Sequence, residues 1–191
     1  MFIRSERLFL RPGWPEDWEE LLAQIGDERV VKNLARAPWP YTPADARRFA
    51  SQPQDSRCPH FLITLPTSAE PARIIGSAGL AHDGNEVQLG YWIARDHWGK
   101  GFATEAARAV LRLARTLGHR HLVAKHFAHN DASGRVLRKI GFRPTGEVRP
   151  SYSLALGEVS PAIVHAIDLG RPSDCDGDGS GGASVTAMRA A

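Results

Sequence analysis

The sequence predicts a single mixed α/β domain with a central mixed, mostly antiparallel sheet flanked by helices. Three observations carry this. The hydrophobic period changes within residues 86–117. Val87, Leu89, Tyr91 and Ile93 alternate with Gln88, Gly90 and Trp92 as in a strand. From Ala103 onward, Ala106, Ala107, Val110, Leu111, Ala114 and Leu117 recur three and four apart, as on one helix face. Two β-branched apolar runs, 60–64 and 73–80, precede that stretch, and Asp83-Gly84-Asn85 forms a hairpin turn, so three consecutive antiparallel strands are expected. A further strand, 121–130, follows the long helix and after that crossover should lie parallel to its predecessor.

The remaining elements follow in chain order. Residues 5–11 read as a first strand closed by Pro12-Gly13. Pro15-Glu16-Asp17 opens a helix with Trp18, Leu21, Leu22 and Ile25 on one side, and a less regular helical piece covers 28–34. Pro38, Pro40 and Pro43 forbid regular helix between them, while Thr42 reads as the N-cap of a helix over 43–50. Strands are expected at 145–148, 151–156 and 162–169, with Gly157 in the last turn. Residues 1–170 are expected to form the domain and 171–191, rich in Ser, Gly, Asp and Ala, a disordered tail. Asp174, Asp176, Asp178 and Gly179 imitate the start of a calcium loop, but Val185 stands where its final Glu belongs, so no metal is expected.

Composition narrows the function classes. The 191 residues are 42% hydrophobic and 24% charged, with no run long enough to span a membrane. The N-terminal residues carry arginines and no apolar signal core, so export is not expected. Cys58 and Cys175 do not indicate a disulfide framework, which fits a cytoplasmic location. The formal charge of +3 comes from basic residues scattered among acids, so neither nucleic acid nor a membrane is an expected partner.

The junction Trp98-Gly99-Lys100-Gly101-Phe102-Ala103-Thr104 lies between strand and helix. Glycines there let a ligand approach the backbone, and the free N–H groups of the first helical turn favour an anion. Ala94 and Gly101 exclude a Walker loop, and Thr104 excludes the dinucleotide fingerprint. The junction resembles the pyrophosphate signature of the GNAT superfamily of acyl-CoA-dependent N-acyltransferases, Arg/Gln-x-x-Gly-x-Gly/Ala. Gly101 and Ala103 fill its small positions, and Trp98 departs from its Arg/Gln position.

A second stretch, Asn130 to Phe142, reads as a short helix capped by Asn130 or Asp131 and ended by Gly141. Asn-x-x-Ser followed by Leu-x-Lys-x-Gly-Phe resembles the second GNAT signature. The opening Glu-Arg-Leu-x-Leu-Arg-Pro and the Trp-Gly-Lys-Gly turn resemble the ribosomal-protein N-terminal acetyltransferase branch, and the resemblance runs over residues 3–169. It implies acetyl-CoA as donor and a primary amine as acceptor, either a protein N-terminus or a small molecule, in a monomer or homodimer. It also implies donor contacts from Ile93, Trp98, Gly99, Lys100, Gly101, Phe102, Ala103, Thr104, Asn130 and Ser133, with backbone N–H groups near Ile93 facing the oxyanion. Leu137 stands where many relatives carry a Tyr, so Ser133 is the expected proton donor to the leaving thiolate. Glu86 is the candidate general base, with Glu147 and Tyr152 behind it, and Trp39 and Tyr41 are the candidate acceptor wall. A non-catalytic acyl-CoA-binding regulator would carry the same donor motifs.

Overall fold

Leu89 and Ile93 bury toward one side of their strand and Trp92 toward the other, so this strand must be covered by helices on both faces. The computed structural model describes residues 1–67 and 72–170. In order, they form β1 (Ile3–Arg4), β2 (Phe9–Arg11), α1 (Trp18–Ile25), α2 (Glu28–Val31), α3 (Pro43–Ala50), β3 (His60–Leu65), β4 (Arg73–Asp83) and β5 (Glu86–Ile93). They continue with α4 (Phe102–Thr116), β6 (His121–Phe127), α5 (Asp131–Lys139), β7 (Arg143–Ser153) and β8 (Glu158–Asp168).

The strands make one eight-stranded sheet in the order β1-β2-β3-β4-β5-β6-β8-β7. Every neighbouring pair is antiparallel except β5 with β6. The expected mixed, mostly antiparallel sheet is the one observed. On one face, Phe61, Leu80, Leu89, Ile93 and Leu122 pack with Ala106, Val110 and Leu137 of α4 and α5. On the other, Leu62, Ile74 and Trp92 pack with Leu21, Ile25, Val31 and Ala46 of α1 to α3. No helix among the described residues is long and apolar enough to cross a membrane.

Two sequence expectations are corrected. Residues 5–11 are not one strand. The Ser5 N–H donates to the Leu8 carbonyl at 2.9 Å, closing a hairpin between β1 and β2, and the polar groups of Ser5 and Arg7 turn to Glu105 instead of a ladder. The three short strands expected after residue 143 are two long ones. Pro150 lies inside β7 opposite Pro161, which is tolerated because β7 is the sheet edge and needs no donor on its outer side. The disordered tail expected over 171–191, with its calcium-loop imitation, lies outside the described residues.

Under α5, the His126 and His165 rings meet Nε2 to Nε2 at 3.1 Å in a buried pair. Gly134 makes the approach possible, since a Cβ there would lie 2.8 Å from His126 Nε2. Burial, then the charges of His126 and Arg138, hold the His165 pKa below its ordinary value; burial lowers His60 and His97 in the same direction. The folded state therefore binds these protons more weakly than the unfolded chain. The resulting stability is fully present above about pH 6.5 and is lost as pH falls through the lowered folded values. We expect the urea midpoint to fall between about pH 7.5 and pH 5, and His165→Gln to flatten part of that slope. A midpoint unchanged across the range would contradict this.

Candidate active site

The glycine turn has the backbone its residues require. Gly99 and Gly101 have φ of 74° and 82°, in the left-handed region that side-chain-bearing residues avoid. Gly101 caps α4 without a side-chain hydrogen bond, and the first helical bond runs from the Glu105 N–H to the Gly101 carbonyl at 3.1 Å. The N–H groups of Phe102, Ala103 and Thr104 therefore point out of the helix start, at the positive end of a 15-residue dipole. A Cβ at Gly99 would meet nothing within 4 Å, and one at Gly101 only Arg7 Nη2 at 3.5 Å, so the space before the turn is open. These residues fit a diphosphate.

Several side chains fix the turn. Trp98 does not project toward a ligand through its N–H. That group donates to the Ile93 carbonyl at 2.6 Å, tying the turn to the end of β5. Lys100 Nζ donates to the Asp96 carbonyl at 2.8 Å. Arg7 donates through Nη1 to the Lys100 carbonyl at 3.1 Å and through Nε to Glu105 at 2.8 Å, and its guanidinium lies 4.5 Å from the centre of the Phe102 ring. Glu105 also accepts from the Arg7 N–H at 2.7 Å and Ser5 Oγ at 2.8 Å. Burial raises the Glu105 pKa, but the donors from Arg7 and Ser5 outweigh it and the net displacement is downward. Sequence reasoning missed this clamp. Its one local signal was an acid in the first turn of α4, which reads equally well as a complement to the helix dipole.

At α5, Asn130 is the cap: its Oδ1 accepts from the Ser133 N–H at 3.2 Å, a bond that does not use the side-chain amide N–H groups. The Ser133 hydroxyl lies 2.9 Å from the Tyr91 hydroxyl, which also lies 3.1 Å from the Ser133 carbonyl. Burial pushes the Tyr91 pKa up to about 12, against the opposing effect of the Ser133 hydrogen bond, so the phenol keeps its proton. When Tyr91 donates to Ser133 Oγ, the serine proton is released to point elsewhere. Leu137, at the position where many relatives carry Tyr, is buried at 1% exposure. The phenol beside Ser133 comes instead from β5, a partner that sequence reasoning missed.

Glu86 is not brought to Ser133. Strand alternation places Glu86, Gln88 and Trp92 on the α1–α3 face, and Tyr91 and Ile93 on the α4–α5 face. Both Glu86 oxygens meet Arg149, at 2.5 and 3.4 Å, and Arg149 also binds Glu147. Beside them Lys125 donates to Asp83 at 2.6 Å, and Lys125 first, against burial, lowers the Asp83 pKa. Glu86 and Ile93 occupy opposite ends of β5, about 23 Å apart along an extended strand. The parallel pair joins them differently: β5 and β6 are in register at Gln88 with Val123 alone, so the sheet parts along Leu89–Ile93 between the two faces.

The loop between α2 and α3 borders the Glu86 face. Tyr41 packs into the second core cluster, and burial, then Asp45, pushes its pKa up to about 12. Trp39 is 38% exposed and follows the same loop. The Leu154 N–H donates to the Ala35 carbonyl at 3.1 Å, bringing the β7–β8 turn against it. Tyr152 is exposed on that hairpin.

An anion seat at one helix, hydroxyls at the next and a parted sheet between them suit a donor whose reacting group lies some distance from its phosphates, as in acyl-CoA transfer. The profile of the acetyltransferase (GNAT) domain matches residues 7–143, and the chain belongs to that family. It is an acyltransferase of the acetyl-CoA-dependent class. An uncharacterized N-acetyltransferase of Bacillus subtilis, YoaA, is 28% identical over 153 residues, covering 77% of this chain and 85% of the relative. A GNAT acetyltransferase structure from Bacillus anthracis superposes with a TM-score of 0.74 at 24% identity over 88% of this chain and 99% of its own. The Salmonella typhimurium acetyltransferase that modifies the N-terminal serine of ribosomal protein L7/L12 gives a TM-score of 0.72 at 18% identity, over 88% and 99%. The microcin C7 self-immunity acetyltransferase MccE, solved with acetyl-CoA and AMP, gives 0.69 at 19%, over 86% and 93%. At these identities the structural likenesses establish the fold.

Proposed function

We propose that this enzyme acetylates a primary amine presented on the α1–α3 face, with an exposed protein N-terminus as the preferred acceptor. The observation that carries the reading is the parted β5–β6 pair, which opens one sheet to a donor from one face and an acceptor from the other. The opening Glu-Arg-Leu motif, which resembles the ribosomal-protein N-terminal acetyltransferase branch, supports this acceptor, and the fold is shared with an enzyme acting on an N-terminal serine as well as with the microcin C7 self-immunity acetyltransferase. The domain spans residues 1–170, acts in the cytoplasm as a monomer or homodimer, and uses neither nucleic acid nor membrane as partner.

Bound acetyl-CoA supplies the activated acyl carbonyl. The N–H groups of Phe102, Ala103 and Thr104 hold the diphosphate, with Gly99, Lys100 and Gly101 shaping the turn and Trp98 holding it to Ile93. Asn130 offers its amide to the pantetheine arm. Backbone N–H groups near Ile93 face the developing oxyanion, and Ser133 delivers a proton to the leaving sulfur with Tyr91 behind it. Trp39 and Tyr41 wall the acceptor side. Glu86 takes the amine's proton on two conditions: its Arg149 pair opens, and a chain of waters spans the distance that separates it along β5 from Ile93.

Glu86→Gln tests that assignment. An amine is mostly protonated at neutral pH, so the wild-type rate should rise with pH. The variant should bind acetyl-CoA normally, lose turnover at neutral pH and recover partly at higher pH, where free amine becomes abundant. An unchanged profile would transfer the role to Glu147, Tyr152 or water. The acceptor is tested with matched peptides carrying free or blocked N-termini, a free lysine side chain, and an aminoglycoside. Acetylation of free N-termini is expected; transfer confined to the aminoglycoside would replace this acceptor with a small molecule.

A further inference from the structure

Away from the parted strands, the loop from α3 to β3 gathers three chemically different donors. Asp55 Oδ2 lies 3.2 Å from His82 Nε2 of β4, and the ligand atoms of Asp55, Cys58 and His82 all lie within 4.8 Å of one another. The chain conceals this cluster because Asp55-x-x-Cys58 is completed only by a residue on another strand. Cys58 is buried at 5% exposure, whereas the His82 and Asp55 side chains are 61% and 44% exposed, so the thiol forms the floor of an opening with the other two at its rim.

The floor and one side of the rim are held in place. Asp55 Oδ1 accepts from the N–H groups of Arg57 at 2.7 Å and Cys58 at 3.2 Å, which fixes the carboxylate and leaves Oδ2 turned toward His82. The Leu80 N–H donates to the Pro59 carbonyl at 2.9 Å, and His119 Nε2 bonds the Arg57 carbonyl at 2.7 Å, pinning the loop from both sides. Zinc bonds of about 2.0–2.3 Å place tetrahedral donor atoms about 3.3–3.8 Å apart. The observed spacings, 3.2 Å between Asp55 and His82 and none above 4.8 Å, lie near that range.

We infer that Asp55, Cys58 and His82 form a binding site for a divalent transition metal, with zinc the ion that a thiolate, imidazole and carboxylate set suits best. Cys58 gives its thiol proton to solvent as the metal–sulfur bond forms. His82 binds through Nε2, exchanging its contact with Asp55 for one to the ion. Water fills the fourth position on the exposed side. The ion joins the α3–β3 loop to β4, away from the donor turn.

The test uses the full chain with Cys175→Ser, so that Cys58 is its only thiol, stripped with a chelator and titrated with Co²⁺ and then Zn²⁺. One equivalent of Co²⁺ should produce a sulfur-to-cobalt charge-transfer band with tetrahedral visible bands, and Zn²⁺ should displace it and raise the Tm. His82→Ala, at an exposed position, should weaken binding by at least the ~10–100-fold that loss of an outer partner costs a metal site. Asp55→Asn, which retains an oxygen for the loop's N–H groups, should weaken it similarly. No charge-transfer band in the folded parent protein, or a band of undiminished affinity in folded His82→Ala, would overturn the site and leave Cys58 as a core side chain beside an ordinary Asp–His pair.

Discussion

Ser133→Ala is expected to lower turnover by about 10²-fold or more while leaving acetyl-CoA affinity nearly intact, because general-acid assistance is realised only as the sulfur leaves. The substitution spares the helix start: Asn130 caps α5 through the backbone N–H of residue 133, not its hydroxyl. Tyr91 acts through that hydroxyl as a positioning residue, so Tyr91→Phe should reduce turnover less, and Ser133→Ala/Tyr91→Phe should be no slower than Ser133→Ala alone. Pre-steady-state product formation at saturating donor separates chemistry from binding. Equal losses of affinity and turnover in Ser133→Ala would make Ser133 a binding residue, and additive losses in the double variant would uncouple the two hydroxyls.

Gly101→Val is expected to abolish the thermal stabilisation that acetyl-CoA confers. A ligand that binds only the folded state at about 100 times its Kd adds ~2.7 kcal/mol, and that gain is what the variant should lose. The cause is conformation more than space. A β-branched residue at φ 82° costs about 1–2 kcal/mol or moves the turn that aims the N–H groups of α4, while the nearest obstacle to a Cβ is the tip of Arg7 at 3.5 Å. Gly118 supplies the control: it has the same φ of 82°, has nothing within 4 Å of a built Cβ and lies at the other end of α4. Gly118→Val should show a similar loss of intrinsic stability and keep the acetyl-CoA gain. Retention of the gain in folded Gly101→Val would remove the turn from the donor site.

The features legible in the sequence were those carried by short-range pattern. The change from alternation to helical spacing located β5, the turn and α4 because each pattern is set by residues within a few positions. The two glycine-bearing motifs were legible for the same reason. Long-range contacts were not. The Arg7–Glu105 clamp joins residues 98 apart, and Tyr91 meets Ser133 across 42. No period in either segment signals its partner. Ser5–Arg11 misled because an alternating run also accommodates a tight hairpin, and the break expected between 148 and 151 is absent because Pro150 is tolerated on β7 as an edge strand, a property of the whole sheet. Glu86 was found by its place on β5, but its partner Arg149 comes from a strand that pairs with neither β5 nor β6.

Amide hydrogen exchange with and without acetyl-CoA tests the two-faced site most directly. Acetyl-CoA alone should protect Phe102–Glu105, the β5 amides near Ile93 and the first turn of α5, with little change in the Trp39–Tyr41 loop until an acceptor peptide is added. Donor-induced protection of that loop without protection at the start of α4 would contradict it.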